Sequence, residues 1–296
     1  MQGVSLLYLL ISSITGQSGR QQMRRKPSTT QTLKSATVAL PLLAFMQVAH
    51  AEGSAATPAE PQWLLLASPF VWAPSMHGQA ALGGVNSKVD VPFSEVMHNL
   101  SSVFMGNLEL TNRTLGFYLD GVYAKTDQSE RVYGRKVGLA ITQTTLAAGV
   151  YYRVFEHALG GSTVFAEPRT WRIEPTFGLR WTRLSTKLDV NSLGLSLSKK
   201  TEWTDPFVGL RTQVDLTDRW TLSGEADTGG LDTASKKTWN AQGYLGYRMY
   251  VADHPAIIRV GYRVLSQDYR TTDFTGNKFK YDVTQRGPVL GLSMRF

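Results

Sequence analysis

The sequence predicts an all-β chain: an antiparallel up-and-down transmembrane β-barrel of about ten strands. Three observations carry that expectation. From Gln62 onward apolar and polar residues alternate with period two, in runs rich in Val, Leu, Tyr, Trp, Thr and Gly. The turns between the runs alternate in size. Asn112-Arg113, Thr217-Asp218 and Ala252-Asp253-His254-Pro255 are tight, whereas Thr126 to Arg131 and Gly229 to Lys237 are longer and more polar. Outer-membrane barrels have this asymmetry, with short periplasmic turns and long outer connections. Finally, Trp171 and Trp181 share a face ten positions apart, which at strand rise and barrel tilt is roughly 25 Å, the height of a lipid-facing band. A soluble sandwich also alternates; the last two features separate the cases.

Composition narrows the classes. The chain has 296 residues and no Cys, which excludes a disulfide scaffold, a thiolate metal site and a Cys nucleophile. No run of about 18 apolar residues is present. The net charge of +8 suggests nucleic acid, but residues 1–51 hold five cations and no acid, so the remainder carries only +3. No nucleic-acid partner and no cofactor are expected.

Taken in order, residues 1–22 read as an upstream extension and Met23 as the natural start. Met23-Arg24-Arg25-Lys26 is a basic leader, Ser35 to Val48 is mostly apolar and small, and Ala49-His50-Ala51 is an A-x-A cleavage site. Residues 23–51 are therefore expected to be a secretory signal, with Glu52 the first mature residue. Residues 52–61, small and Pro-rich, read as a flexible lead-in.

The barrel is assigned to residues 62–296. Its ten strands are placed at 62–74, 101–111, 114–125, 132–153, 170–190, 193–216, 219–229, 238–251, 256–272 and 277–296. Eight strands result if the first segments pair poorly, and twelve if 77–92 forms its own hairpin. Trp63 and Trp72 bracket the first strand with differing parity, and Pro69 marks a bulge there. Phe93, Val96, Met97 and Leu100 have helical spacing, with Ser94 as an N-cap, and predict a two-turn helix leaning on the rim. The alternation continues past membrane height on both sides of Asn191-Ser192, so that hairpin is expected to project outward.

Gly-apolar-Arg occurs four times: Gly178-Leu179-Arg180, Gly209-Leu210-Arg211, Gly246-Tyr247-Arg248 and Gly261-Tyr262-Arg263. The middle residue faces lipid, so the Arg faces the lumen, and the Gly is expected to leave room for the guanidinium. The same parity sends Arg153, Arg172, Arg259 and Arg295 inward, together with Glu109, Asp120, Glu174, Asp205, Asp215, Glu225 and Asp227. Eight Arg against seven carboxylates predict a salt-bridged filling. A narrow pore for small anions is the alternative; it would show one sign in clear excess.

The last ten residues end on Leu290, Leu292, Met294 and Phe296, all on one face. This closing strand resembles the assembly signal of bacterial outer-membrane barrels. The phrases SPFVW at 68–72, VDVPFSEVMHNL at 89–100, GLR, DRW at 218–220, GYR and GPVLGL at 287–292 resemble a family of small proteobacterial outer-membrane barrels, loosely OmpA-type. The resemblance covers most of residues 62–296. It implies the outer membrane as location and the barrel-assembly machinery as a partner during biogenesis, and it carries no activity.

No enzyme is expected. G-x-S-x-G and H-E-x-x-H are absent, and no His falls on a lumen-facing strand position. Ten-stranded barrel proteases use Asp and His at the outer mouth, where His77 or His98 could approach Asp268 or Asp273. The remaining expectation concerns the outer rim, which the strand assignment gives thirteen basic against seven acidic residues. A basic collar that includes Lys199, Lys200, Lys236 and Lys237 is expected to contact lipopolysaccharide phosphate.

Overall fold

The computed structural model describes residues 63–82, 85–132, 135–190, 195–230, 236–272 and 278–296. The expected signal and lead-in (1–61), the turn Asn191-Ser192 and Asp273 lie outside these residues. In chain order the elements are β1 (Leu64–Trp72), β2 (Ser75–Leu82), β3 (Val85–Val91), α1 (Phe93–His98), β4 (Leu100–Thr111), β5 (Leu115–Val132), β6 (Arg135–Tyr152), β7 (Phe155–Ser162), β8 (Pro168–Val190), β9 (Leu195–Asp215), β10 (Trp220–Gly229), β11 (Lys236–Val251), β12 (His254–Thr272) and β13 (Lys278–Arg295).

Ten of the strands close a barrel, in the order β1-β4-β5-β6-β8-β9-β10-β11-β12-β13, with β13 returning to β1 from Leu66↔Arg295 to Trp72↔Val289. Every wall pairing is antiparallel. Closure is what lipid demands, since an open edge would leave backbone N–H and C=O groups without partners. The outer face is correspondingly apolar: Leu108, Phe117, Phe177, Leu179, Leu210, Leu222, Val260 and Leu290 are all exposed. Trp63, Trp171, Trp220 and Tyr250 ring the end that holds the tight turns, and Trp63 stacks on Phe117 at 6.2 Å.

The outer boundary of the belt is readable along β13. Pro288, Leu290, Leu292 and Met294 face out, but two positions further up the same face carries Arg286, Thr284, Asp282 and Lys280. The inward face changes the opposite way, from Ser293 and Gln285 to the buried Val283, Tyr281 and Phe279. Inside the bilayer the outside must be apolar; above it water takes the place of lipid, and the apolar side turns in. Trp203 stacks on Tyr269 there at 4.6 Å, and Phe279, Tyr281 and Val283 complete a water-soluble style core.

Several expectations are corrected. The predicted first strand, 62–74, is β1, which runs beside β13 as far as Trp72; β2 follows it and continues the same register along β13 from Ser75↔Arg286 to Ala81↔Lys280. Pro69 marks no bulge; the β1–β4 ladder ends at Pro69↔Gly106, and beyond it the Trp72 backbone N–H meets the Met105 sulfur at 3.2 Å. Trp72 points inward and is buried, so it is not a girdle residue. The 77–92 hairpin exists as β2 and β3, but it rides on β13 above the belt and adds no wall strand. Residues 126–131 are no loop: they pair with residues 136–141 and extend the β5–β6 hairpin above the membrane. The helix α1 starts after Pro92 without a side-chain cap, so Ser94 is not its cap, and no residue in it is buried.

The glycines of the four-fold repeat serve the wall more than the guanidinium. A Cβ on Gly178 would lie 2.2 Å from the Ala148 carbonyl oxygen and 2.7 Å from the Phe207 ring; one on Gly261 would lie 2.1 Å from the Gly243 carbonyl oxygen. Gly178→Ala is expected to destabilise the barrel by about 1–3 kcal/mol, as overpacking does. Urea unfolding in lipid vesicles measures this.

Candidate functional site

Charged and polar side chains lie in layers along the inside of the barrel wall. At the turn end, Arg153 meets Glu174 at 3.1 Å and Glu156 at 2.5 Å, and Arg172 donates to Gln213 at 2.6 Å. Arg248 pairs with Asp215, which also accepts the Thr170 backbone N–H at 3.0 Å. One layer up, Arg211 of β9 reaches Glu109 of β4 at 2.8 Å. These strands lie four places apart around the wall, so the pair crosses the lumen. Tyr151 donates to the same carboxylate at 2.6 Å, and its ring lies 4.1 Å under the Arg211 guanidinium.

Higher still, Arg180 Nη2 contacts both Asp227 oxygens at 2.8 Å, with side chains 2% and 0% exposed. Asn240 donates to Asp227 at 2.9 Å and accepts from Arg263 Nε at 3.1 Å; Arg263 Nη2 reaches Asp120 at 3.1 Å. Asp205 accepts from Thr238 at 2.9 Å. Gln267 to Thr182 at 3.0 Å and Gln285 to Gln143 at 2.7 Å also cross the lumen. Arg295 is held by Glu167 at 2.6 Å. Arg259 alone of the eight makes no ion pair or hydrogen bond among the described residues; it lies over the Tyr244 ring at 5.5 Å.

Sequence reading missed two parts. One is an apolar layer inside the lumen: Trp72, Met105, Val122, Leu265 and Val289 are buried against each other, with Phe70 and Tyr244 beside them. Alternation assigns a face, and apolar residues were assigned to lipid. The other is a strap. After β6 the chain forms β7, which pairs with the lower end of β8, and the turn 163–167 then passes under the barrel. Its Glu167 takes Arg113 from the β4–β5 turn at 2.7 Å, Val164 N–H donates to the Asp218 carbonyl of the β9–β10 turn at 3.0 Å, and Phe165 packs edge-on to Tyr250 at 5.3 Å. The signal was present in the length of 154–169, too long for a periplasmic turn.

On the rim, Lys125 pairs with Asp127 at 3.1 Å, Arg183 with Glu202 at 3.9 Å, Arg270 with Asp268 at 2.6 Å and Lys280 with Asp282 at 3.0 Å. The Ser101 hydroxyl and Lys125 hold the Asp127 carboxyl below its usual range. Lys200 and Lys237 are exposed above the belt; the side chains of Lys199 and Lys236 lie outside the described residues. His77 lies 3.3 Å from Asp90 on the neighbouring strand and Asp268 is engaged by Arg270, while Asp273 lies outside the described residues. Leu290, Leu292 and Met294 line the outer face of β13, and Phe296 exchanges two backbone hydrogen bonds with Leu65.

No protein-family model matches the chain, and no curated protein matches it. Among solved structures it is similar to Ail, the attachment invasion locus protein of Yersinia pestis, at 11% identity over 79% of this chain and 98% of that one, TM-score 0.35. It is also similar to Neisserial surface protein A, at 12% identity over 79% and 97%, TM-score 0.28. The translocator domain of the Neisseria meningitidis autotransporter NalP is a third, at 12% identity over 79% and 88%, TM-score 0.30. What these likenesses share with the chain is the fold, a closed antiparallel β-barrel, here with ten wall strands and an apolar outer belt.

Proposed function

We propose that this chain is a structural or surface-binding barrel of the bacterial outer membrane, exported by its 23–51 signal and closed to solute passage. The observation that carries the reading is the set of side chains that cross the lumen, above all Arg211–Glu109 and Gln143–Gln285, together with the apolar layer that lies above the first of these pairs. A ten-stranded barrel has little lumen to spare once such side chains fill it. In planar bilayers the purified protein is expected to give no single-channel steps; reproducible steps would replace this reading with that of a narrow anion channel. No catalytic step is part of the proposal, and an outer-membrane hydrolase is the least supported alternative.

The rim supplies the surface-binding part. Exposed Lys200 and Lys237, with Lys199 and Lys236 beside them in β9 and β11, form a basic collar for the phosphates of lipopolysaccharide. Rim pairs such as Lys125–Asp127 are worth little individually, so the collar acts through the cations they leave over. Changing all four lysines to Gln is expected to weaken glycolipid binding and lower the thermal midpoint in native outer membrane. If both stay unchanged, the lysines are merely solvated. The terminal face of Leu290, Leu292, Met294 and Phe296 serves as the signal read by the barrel-assembly machinery.

A further inference from the structure

A cavity of about 120 Å³ lies in the lower lumen, beneath the apolar layer. That is room for several water-sized groups, and far below a drug-sized pocket. Three guanidinium groups border it: Arg172, Arg211 and Arg259. Each has at least one buried N–H without a hydrogen-bond acceptor: Nη1 of Arg211, Nε of Arg259, and Nε of Arg172, which faces the Glu174 carboxylate at 3.6 Å, beyond hydrogen-bond distance.

The acids around the cavity are already engaged. Glu109 is held by Arg211, Asp120 by Arg263, and Glu174 by Arg153 and Arg172. Glu225 accepts from Gln242 at 3.2 Å and faces Arg211 at 3.8 Å. Arg153 is met in addition by Glu156, at the water-exposed rim. Arg259, partly buried, is left with a ring face and makes no ion pair or hydrogen bond among the described residues. A cation withdrawn from water without a hydrogen-bonded partner is costly, and the cost falls when an anion accepts its hydrogen bonds.

On part of its outer side the cavity is capped by apolar side chains. On three strands the residue two or more positions further out belongs to the apolar layer: Trp72 above Phe70, Met105 above Asn107 and Val122 above Asp120. We propose that the lower lumen is a binding site for a small monoanion, a halide or a short carboxylate, which takes the free N–H groups of Arg259, Arg211 and Arg172 and neutralises Arg259. This rests on the closed-lumen reading and deepens it: the anion resides there and does not pass.

The test uses the mature chain refolded in dodecyl maltoside, with folding checked by heat-modifiable migration. The probe is chloride, read by ³⁵Cl NMR line broadening. The wild-type barrel is expected to broaden the line saturably. Arg259→Gln is expected to weaken apparent affinity at least about tenfold, the scale of one lost charged hydrogen bond. Should Arg259→Gln fail to fold, Ser223→Met, which fills the cavity and keeps the guanidinium groups, is expected to abolish the broadening. Displacement by acetate identifies a carboxylate as the better occupant; no displacement identifies a halide. Broadening absent from the wild type, or equal in folded Arg259→Gln, overturns the proposal and leaves a water-filled cavity. Single-channel steps with saturable broadening intact would sink only the closed-lumen reading.

Discussion

Asp227→Leu is expected to lower the stability of the barrel by about 3–5 kcal/mol, the range for removing one partner of a buried ion pair. Arg180 and Asp227 are the most deeply buried opposite charges in the lumen, 2% and 0% exposed, and they lie on strands separated only by β9. Without Asp227 the Arg180 guanidinium keeps the Phe207 ring at 4.9 Å but loses its ion-pair partner, and the Asn240 amide loses its acceptor. The double variant Arg180→Leu/Asp227→Leu removes both charges and is expected to recover most of the loss, because the penalty comes from the stranded charge and not from the missing attraction. Equilibrium urea unfolding in lipid vesicles, with the slope unchanged, measures both variants. A single-variant loss below about 1 kcal/mol would put the pair in the class of solvated surface bridges and refute the filled-lumen picture at its strongest point.

Much of this was legible in the sequence, and the reason is geometric. Period-two alternation fixes which face a residue takes once the strand is known. Arg180, Arg211, Arg248 and Arg263, each two positions after a Gly, could thus be sent inward without any structure. Which carboxylate each meets was not legible, because that depends on the register around the closed ring. Arg211 finds Glu109 four strands away, while Arg180 finds Asp227 two strands away. The apolar lumen layer was hidden by the assumption that apolar means lipid. That assumption fails above the bilayer, as the change of phase at Arg286 and Gly287 records, and it fails at Trp72 and Met105, where the wall ladder has already parted. The β1–β2 continuation was hidden because Ala73-Pro74 reads as a stop, whereas β13 supplies a partner on both sides of it.

Cutting the strap loose is expected to expose the lower lumen by roughly thirtyfold. Glu167 holds Arg113 and Arg295, with side chains 30%, 57% and 23% exposed. Partly exposed pairs of this kind are worth about 0.2–1 kcal/mol each. Phe165 adds an edge contact with Tyr250 of about 0.5–1.5 kcal/mol. Together these side-chain contacts contribute about 2 kcal/mol to holding the strap, beside the Val164–Asp218 backbone bond, and each 1.4 kcal/mol removed is a factor of ten in the open population. The chain has no native Cys, so one thiol can report. Ser223 lines the cavity and Ser223→Cys is nearly isosteric. In that background Phe165→Ala/Glu167→Ala is expected to speed labelling by a water-soluble maleimide about thirtyfold, while a thiol at exposed Thr217 labels at the same rate with or without the strap changes. High salt should shift the wild type part of the way toward the variant, since the two ion pairs are screened and the ring contact is not. Equal labelling rates at Ser223→Cys in both backgrounds would mean that the strap lies under the barrel without governing access to it.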